Sequence, residues 1–156
     1  MEIWELLARA EIEDLVKRYA YYGDAGKSAD LADLFVEDGV LESAHGVSVE
    51  GRAAIRGHLD GVAAAGRSAD APTGFVRHNV SNVLVAFEGP ERAVVNSYQL
   101  IVTAQGVDSG RYRDTVVKTA EGWRFARRRS RLDRPADQGS AFLQAGHAAL
   151  KGGDAP

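Results

Sequence analysis

The chain has 156 residues, 45% of them hydrophobic and 26% charged; this is enough for one domain with its own core and excludes wholesale disorder. It has no cysteine, which excludes disulfides, a thiolate nucleophile and Cys-ligated zinc or iron–sulfur centres. Lys plus Arg number 19 against 22 Asp plus Glu, a formal charge of -3, and no apolar run approaches the roughly 20 residues of a membrane span, so neither nucleic acid nor a membrane is an expected partner.

The opening stretch MEIWELLARAEIEDL is acidic and amphipathic. It lacks the basic start and apolar middle of a secretory signal, so a cytoplasmic protein is expected. From Ile3 to Tyr22, apolar residues recur in three- and four-residue steps (Ile3, Leu6, Leu7, Ala10, Ile12, Leu15, Val16, Tyr19, Tyr22). That spacing predicts a helix with one apolar face, and Gly23 is placed to end it. Ser28 can cap a short second helix carrying Leu31, Leu34 and Phe35. Gly39 to Glu42 reads as a strand and His45-Gly46 as a turn. Gly51 to Val62 sets Ile55, Leu59 and Val62 on one helical face, and the Ala/Gly/Ser/Pro-rich stretch 63–74 reads as the longest loop.

Strand candidates then follow at hairpin spacing: Phe75 to Phe87, Arg92 to Ala104, Gly110 to Thr119 and Trp123 to Leu132, separated by short Gly-containing turns. Past Pro135, Phe142 to Leu150 suggests a small helix before a frayed tail. The chain therefore divides into a domain over 1–135 and a C-terminal extension over 136–156. Helices followed by a meander predict an α+β fold, with helices gathered on one face of an antiparallel sheet; a strongly curved sheet would enclose a pocket.

Strict alternation puts His78 on a strand face with Val76, Val80, Asn82 and Leu84. It is a satisfied core imidazole, an exposed histidine on a solvent face, or a group poised to move a proton near neutral pH. Asp24, just past the aromatic run Tyr19-Ala20-Tyr21-Tyr22, is either a solvated turn residue or a carboxylate able to orient a histidine. Tyr19 and Asp24 share no face of an unbroken helix, so both reach one pocket only if the helix ends near Gly23 or the pocket is wide. Tyr98 lies on a strand face with Val94, Asn96, Leu100 and Val102. In the last strand, alternation groups Arg127, Arg129 and Arg131 with Trp123 and Phe125, and sets Arg124 and Arg128 opposite. They form either a solvated charged face or, for one of them, a pocket cation. His45, His58, His78 and His147 show no metal-ligand spacing, and no strand–GxGxxG–helix or Walker A motif is present, so no metal and no nucleotide cofactor are expected.

The stretches EIEDLVKRYAYYGDAGKSADLADLFVEDGVLE, VEGRAAI, RHNVSNVLVAF and GRYRDTVVKTAEGWRFARRRSRL, in that order, resemble the SnoaL-like branch of the nuclear transport factor 2-like superfamily. The similar subgroup contains scytalone dehydratase, bile-acid 7α-dehydratase and lindane dehydrochlorinase. The resemblance implies a cone-shaped, strongly curved sheet whose pocket is closed by the N-terminal helices. It implies a catalytic Asp at Asp24 and a catalytic His at His78, with a tyrosine at Tyr19 and a late arginine nearest Arg131, Arg129 being the other candidate. An acidic residue of the bile-acid enzyme falls near Ile101 and is missing here. Tyr22, Asn82, Tyr98, Tyr112 and Arg129 are the expected substrate-binding residues.

The resulting expectation is a cofactor-independent lyase of the dehydratase type, acting on a small hydrophobic cyclic or polycyclic molecule. The alternatives are an isomerase or polyketide cyclase using the same pocket, or a non-catalytic binding or assembly domain. By the same resemblance the chain is expected to form a homo-oligomer, a dimer or trimer.

Overall fold

The computed structural model describes residues 1–44, 46–66 and 75–134. The elements run α1 (Ile3–Asp24), α2 (Ser28–Ala32), β1 (Phe35–Glu42), β2 (Ser48–Glu50), α3 (Arg52–Gly66), β3 (Val76–Phe87), β4 (Arg92–Thr103), β5 (Gly106–Thr119) and β6 (Gly122–Leu132). The strands form one curled, unclosed sheet in the order β2-β1-β6-β5-β4-β3. Every pairing is antiparallel except β1 with β6. This is the expected α+β architecture with N-terminal helices against the sheet.

Helix α1 opens with a capping box in which the Glu2 N–H donates to Glu5 Oε2 at 2.9 Å. Its buried stripe is Ala8, Ile12, Leu15, Val16 and Ala20, which corrects the single apolar face expected from Ile3 onward. Ile3, Leu6 and Leu7 are 79%, 59% and 60% exposed. Two apolar stripes are interleaved in the first turns, and only one can face the sheet. Trp4 wins that place by packing edge-on against Phe87, at 5.2 Å between centroids, while Arg9 donates to the Val85 carbonyl at 2.9 Å.

The helix also runs past Gly23. It is Gly26, at φ 66°, that takes the left-handed conformation, with the Lys27 N–H returning to the Tyr22 carbonyl at 2.9 Å. Helix α2 is preceded by Lys27 at its N-cap rather than capped by Ser28, whose side chain is buried.

Strand β1 is longer than the predicted Gly39 to Glu42 and breaks register between Phe35 and Val40. Gly39 sits in that break. A Cβ there would lie 3.0 Å from both Phe35 Cβ and the Val36 carbonyl oxygen, so a larger residue would push that close approach apart. The guanidinium of Arg52 donates twice to the Phe35 carbonyl, at 2.8 and 3.1 Å. Helix α3 extends the predicted helix into what the sequence suggested was loop; positions 67–74, the His45 half of the predicted turn, and the proposed helix at 142–150 lie outside the described residues. Strand β5 starts at Gly106 rather than Gly110, because Gly106 (φ 144°) makes the hairpin turn itself.

The core between helices and sheet centres on Ile12, Leu15, Val16, Phe35, Ile55, Val95, Val116 and Phe125, all fully buried. Beside it lies a cavity under the α1–α2 turn and α3. No helix among the described residues is long and apolar enough to cross a membrane.

Candidate active site

The cavity encloses about 350 Å³. Its walls are largely apolar, with Leu31, Leu41, Leu59, Val62, Val76 and Ile101 among them. Polar groups converge on it from four directions: the end of α1, α3, β3–β4 and β5–β6.

At the end of α1, the Asp24 carboxylate clamps one residue of β3 by both its backbone and its ring. The His78 backbone N–H lies 3.1 Å from each carboxylate oxygen, and His78 Nδ1 lies 2.6 Å from Asp24 Oδ1. A carboxylate only accepts, so the proton of the contact belongs to Nδ1, and in the neutral ring Nε2 is left to accept another. Both side chains line the cavity and are mostly but not wholly buried, at 20% and 16% exposure. Local sequence explains the arrangement. Gly26 lets the chain reverse directly after Asp24, and Val76, His78 and Val80 alternate inward along β3.

Tyr19, Tyr22 and Asp24 all line the cavity although the helix is unbroken through Asp24, because the cavity wraps round the helix end. Tyr112, from β5, meets Tyr19 edge-on at 6.0 Å. Burial pushes the phenols of Tyr19 and Tyr112 up from their ordinary values, against the opposing pull of Arg128. They therefore stay neutral, as hydrogen-bond donors, at physiological pH.

Two β-bulges then reassign residues that simple alternation had placed in the pocket. In β3 the register with β4 slips between Ser81 and Leu84, and Asn82 takes φ 52°. From there Val83, Val85 and Phe87 face inward, whereas Asn82 is exposed and Leu84 is 65% exposed. Asn82 is thus a bulge residue outside the cavity, tolerant of the left-handed conformation. In β6 the register with β5 slips where Thr115 pairs with Arg127 and Val116 with Phe125, which leaves Ala126 as the extra residue. The bulge reverses parity: Trp123 and Phe125 face inward before it, Arg128 and Ser130 after it. Arg129 instead pairs with Glu42 and, with Arg131, lines a separate open groove on the outside. Neither arginine lines the cavity.

Tyr98 needs no bulge to be corrected. Its face of β4 is the outer one, where it is 59% exposed, and Val95, Ser97, Gln99 and Ile101 face inward. Both faces of β4 carry apolar residues, so periodicity does not say which is inside.

The inward arginine, Arg128, is wholly buried. Its guanidinium carbon sits 3.9 Å from the Tyr19 ring centroid, 3.7 Å from that of Tyr112 and 4.7 Å from that of Phe125. Its anion is Asp114, at 3.5 Å, and burial lifts that carboxyl to about 6. Neither the Asp114 oxygens nor the Arg128 nitrogens have a hydrogen-bond partner among the described residues. Aromatic faces supply the solvation instead.

Among the cavity residues that the sequence reading missed are His58, Gln99 and Ser130. His58, on the α3 face shared with Ile55, Leu59 and Val62, lines the cavity, and burial lowers its pKa. That helical spacing was the available signal. Gln99 and Ser130 line it too and bond to each other at 2.9 Å. No grouping of side chains suited to a metal ion occurs among the described residues.

The sequence profile of the SnoaL-like domain matches residues 4–129. Among solved structures, the chain is similar to a protein of Novosphingobium aromaticivorans named provisionally as a scytalone dehydratase: 29% identity over 86% of this chain and 89% of that one, TM-score 0.74. It is also similar to a function-unknown protein of Mycobacterium tuberculosis, with 26% identity over 95% of this chain and 89% of that one, TM-score 0.78. An NTF2-like protein with a cystatin-like fold, again from Novosphingobium aromaticivorans, has 27% identity over 90% of this chain and 89% of that one, TM-score 0.64. No curated protein matches the chain.

Proposed function

We propose that this chain, which belongs to the SnoaL-like domain family, is a cofactor-independent lyase that eliminates water from a small hydrophobic cyclic molecule. One observation carries the reading: a carboxylate–imidazole pair in contact at 2.6 Å on the wall of an apolar cavity. The similarity to a protein provisionally named as a scytalone dehydratase supports the same chemistry.

In this reading His78 Nε2 removes the proton from the carbon beside a substrate carbonyl. Asp24 holds the ring in the required tautomer and stabilises the imidazolium that forms. The electron pair left on carbon becomes the new double bond as the C–O bond breaks, and the proton on Nε2 passes to the departing hydroxyl, which leaves as water. Tyr19, a neutral donor, stabilises negative charge growing on the carbonyl oxygen. Arg128 cannot touch substrate; it acts as a positioning residue, holding the Tyr19 and Tyr112 rings and adding a positive field behind them.

The test uses cyclic β-hydroxyketones as substrates. His78→Ala is expected to lose roughly 10²–10⁴-fold in turnover and to keep the fold, since the backbone bond to Asp24 survives the substitution. Wild-type turnover in that variant overturns the proposal. Product mass separates the alternatives: loss of water marks elimination, while unchanged mass marks an isomerase or cyclase in the same cavity. We also propose self-association through the outer sheet face, supported by exposed Leu84, Tyr98 and Leu100; sedimentation as a monomer at high concentration would contradict it.

A further inference from the structure

Away from the dyad, the cavity has a second polar feature that its own surroundings leave incomplete. Gln99 is 1% exposed and lines the cavity. Its Nε2 donates to Ser130 Oγ at 2.9 Å. Its Oε1 is buried with no hydrogen-bond partner among the described residues. An amide oxygen in that position destabilises the fold unless something donates to it.

The fold holds the amide there. Gln99 is registered opposite Gly110, and a Cβ at Gly110 would collide with the Arg131 carbonyl oxygen and come within 3.1 Å of Gln99 Nε2. Glycine at that point makes room for the amide, and Ser130, turned inward by the β6 bulge, anchors its nitrogen. Ile101, two residues along the same face of β4, is the partner of His78 in the ladder. The amide therefore lies roughly 7 Å along the strand from the dyad.

We propose that Gln99, anchored by Ser130, is a subsite that accepts a hydrogen bond from a hydroxyl of the substrate remote from the reacting carbon. The inference deepens the lyase reading and rests on its cavity being the substrate site. It narrows the substrate to a ring compound that carries a second hydroxyl besides the one that leaves as water. A buried acceptor of this kind discriminates strongly, because a ligand lacking the donor leaves it unpaired.

The test is binding, measured by calorimetry and by amide chemical shifts, of 2-naphthol and naphthalene, which differ in one hydroxyl. The wild-type protein is expected to bind 2-naphthol at least about tenfold more tightly. Gln99→Met, similar in volume but without the amide acceptor, should shrink that preference below about threefold while naphthalene binds as before, which also shows the cavity intact. Ser130→Ala, which removes only the anchor, should give an intermediate preference. His78→Ala should keep the full preference. A preference that survives Gln99→Met and Ser130→Ala, or vanishes in His78→Ala, overturns the subsite, as does a wild-type protein that binds neither probe. Turnover is not the readout, so failure of the subsite and failure of the lyase reading are seen separately.

Discussion

Asp24–His78 and Asp114–Arg128 each set a carboxylate against a nitrogen base on the inner side of the same sheet, in opposite surroundings. The first pair is partly open, at 16% and 20% exposure, and its carboxylate takes hydrogen bonds from a ring and from a backbone amide. The second is wholly shut away, its oxygens and nitrogens without hydrogen bonds among the described residues and its cation packed among aromatic rings. A proton shuttle needs a base that can be reached and a partner that tolerates either protonation state. A fixed field needs a charge shielded from solvent, and the guanidinium is wholly buried. The cavity lies between the two, with Tyr19 and Tyr112 as the layer that separates them.

The comparison breaks most sharply at Asp24. Asp24→Asn keeps an acceptor for the His78 backbone but cannot stabilise an imidazolium, so turnover on the β-hydroxyketone panel should fall roughly 10²–10⁴-fold with little change in melting temperature. Arg128→Met should show the reverse weighting. Removing one member of a buried pair strands the other, and urea unfolding at pH 8 should show a loss of about 3–5 kcal/mol. At pH 5 the loss should be smaller, because Asp114 can then be protonated.

The wild-type pair has its own pH signature. Burial raises Asp114 from 3.8 to about 6 against the pull of Arg128. Between those values the folded state holds the proton more tightly than the unfolded state, so this residue's contribution to stability falls as pH rises from about 4 to about 6 and is constant above, by at most about 3 kcal/mol. Glu42 acts in the opposite direction: Arg129 and Arg127 hold its pKa below 4.5, and its contribution is lost as pH falls. The difference between wild-type and Asp114→Asn unfolding curves isolates the buried carboxyl. A difference that stays flat from pH 4 to 6 contradicts the assignment. The smallest effect belongs to Tyr19→Phe, which keeps the ring on Arg128 and removes only the donor; stability should hold and turnover should drop roughly tenfold.

How far the site was legible from sequence varies with distance from the bulges. His78 lies before the β3 slip, so alternation groups it correctly with Val76 and Val80, while the structure shows that face to be the inner one. Asn82 lies at the slip, and the same alternation placed it wrongly. In β6, alternation counted from Trp123 selects Arg127, Arg129 and Arg131. One unpaired alanine reverses the count and puts Arg128 inside. Tyr98 and Gln99 show a different obstacle, since either face of β4 could have been the buried one.

Local sequence by itself determined the helices and the hairpin strands β3 to β6, because helical and strand periods and turn glycines act within a few residues; the short β2 carried no such signal, and the family entered through the resemblance of whole stretches. The tertiary structure alone decided which strand face looks inward, which arginine is buried, and that Asp24 meets His78. Those outcomes depend on register between strands and on contacts across 54 positions of chain, where a shift of one residue exchanges inside for outside.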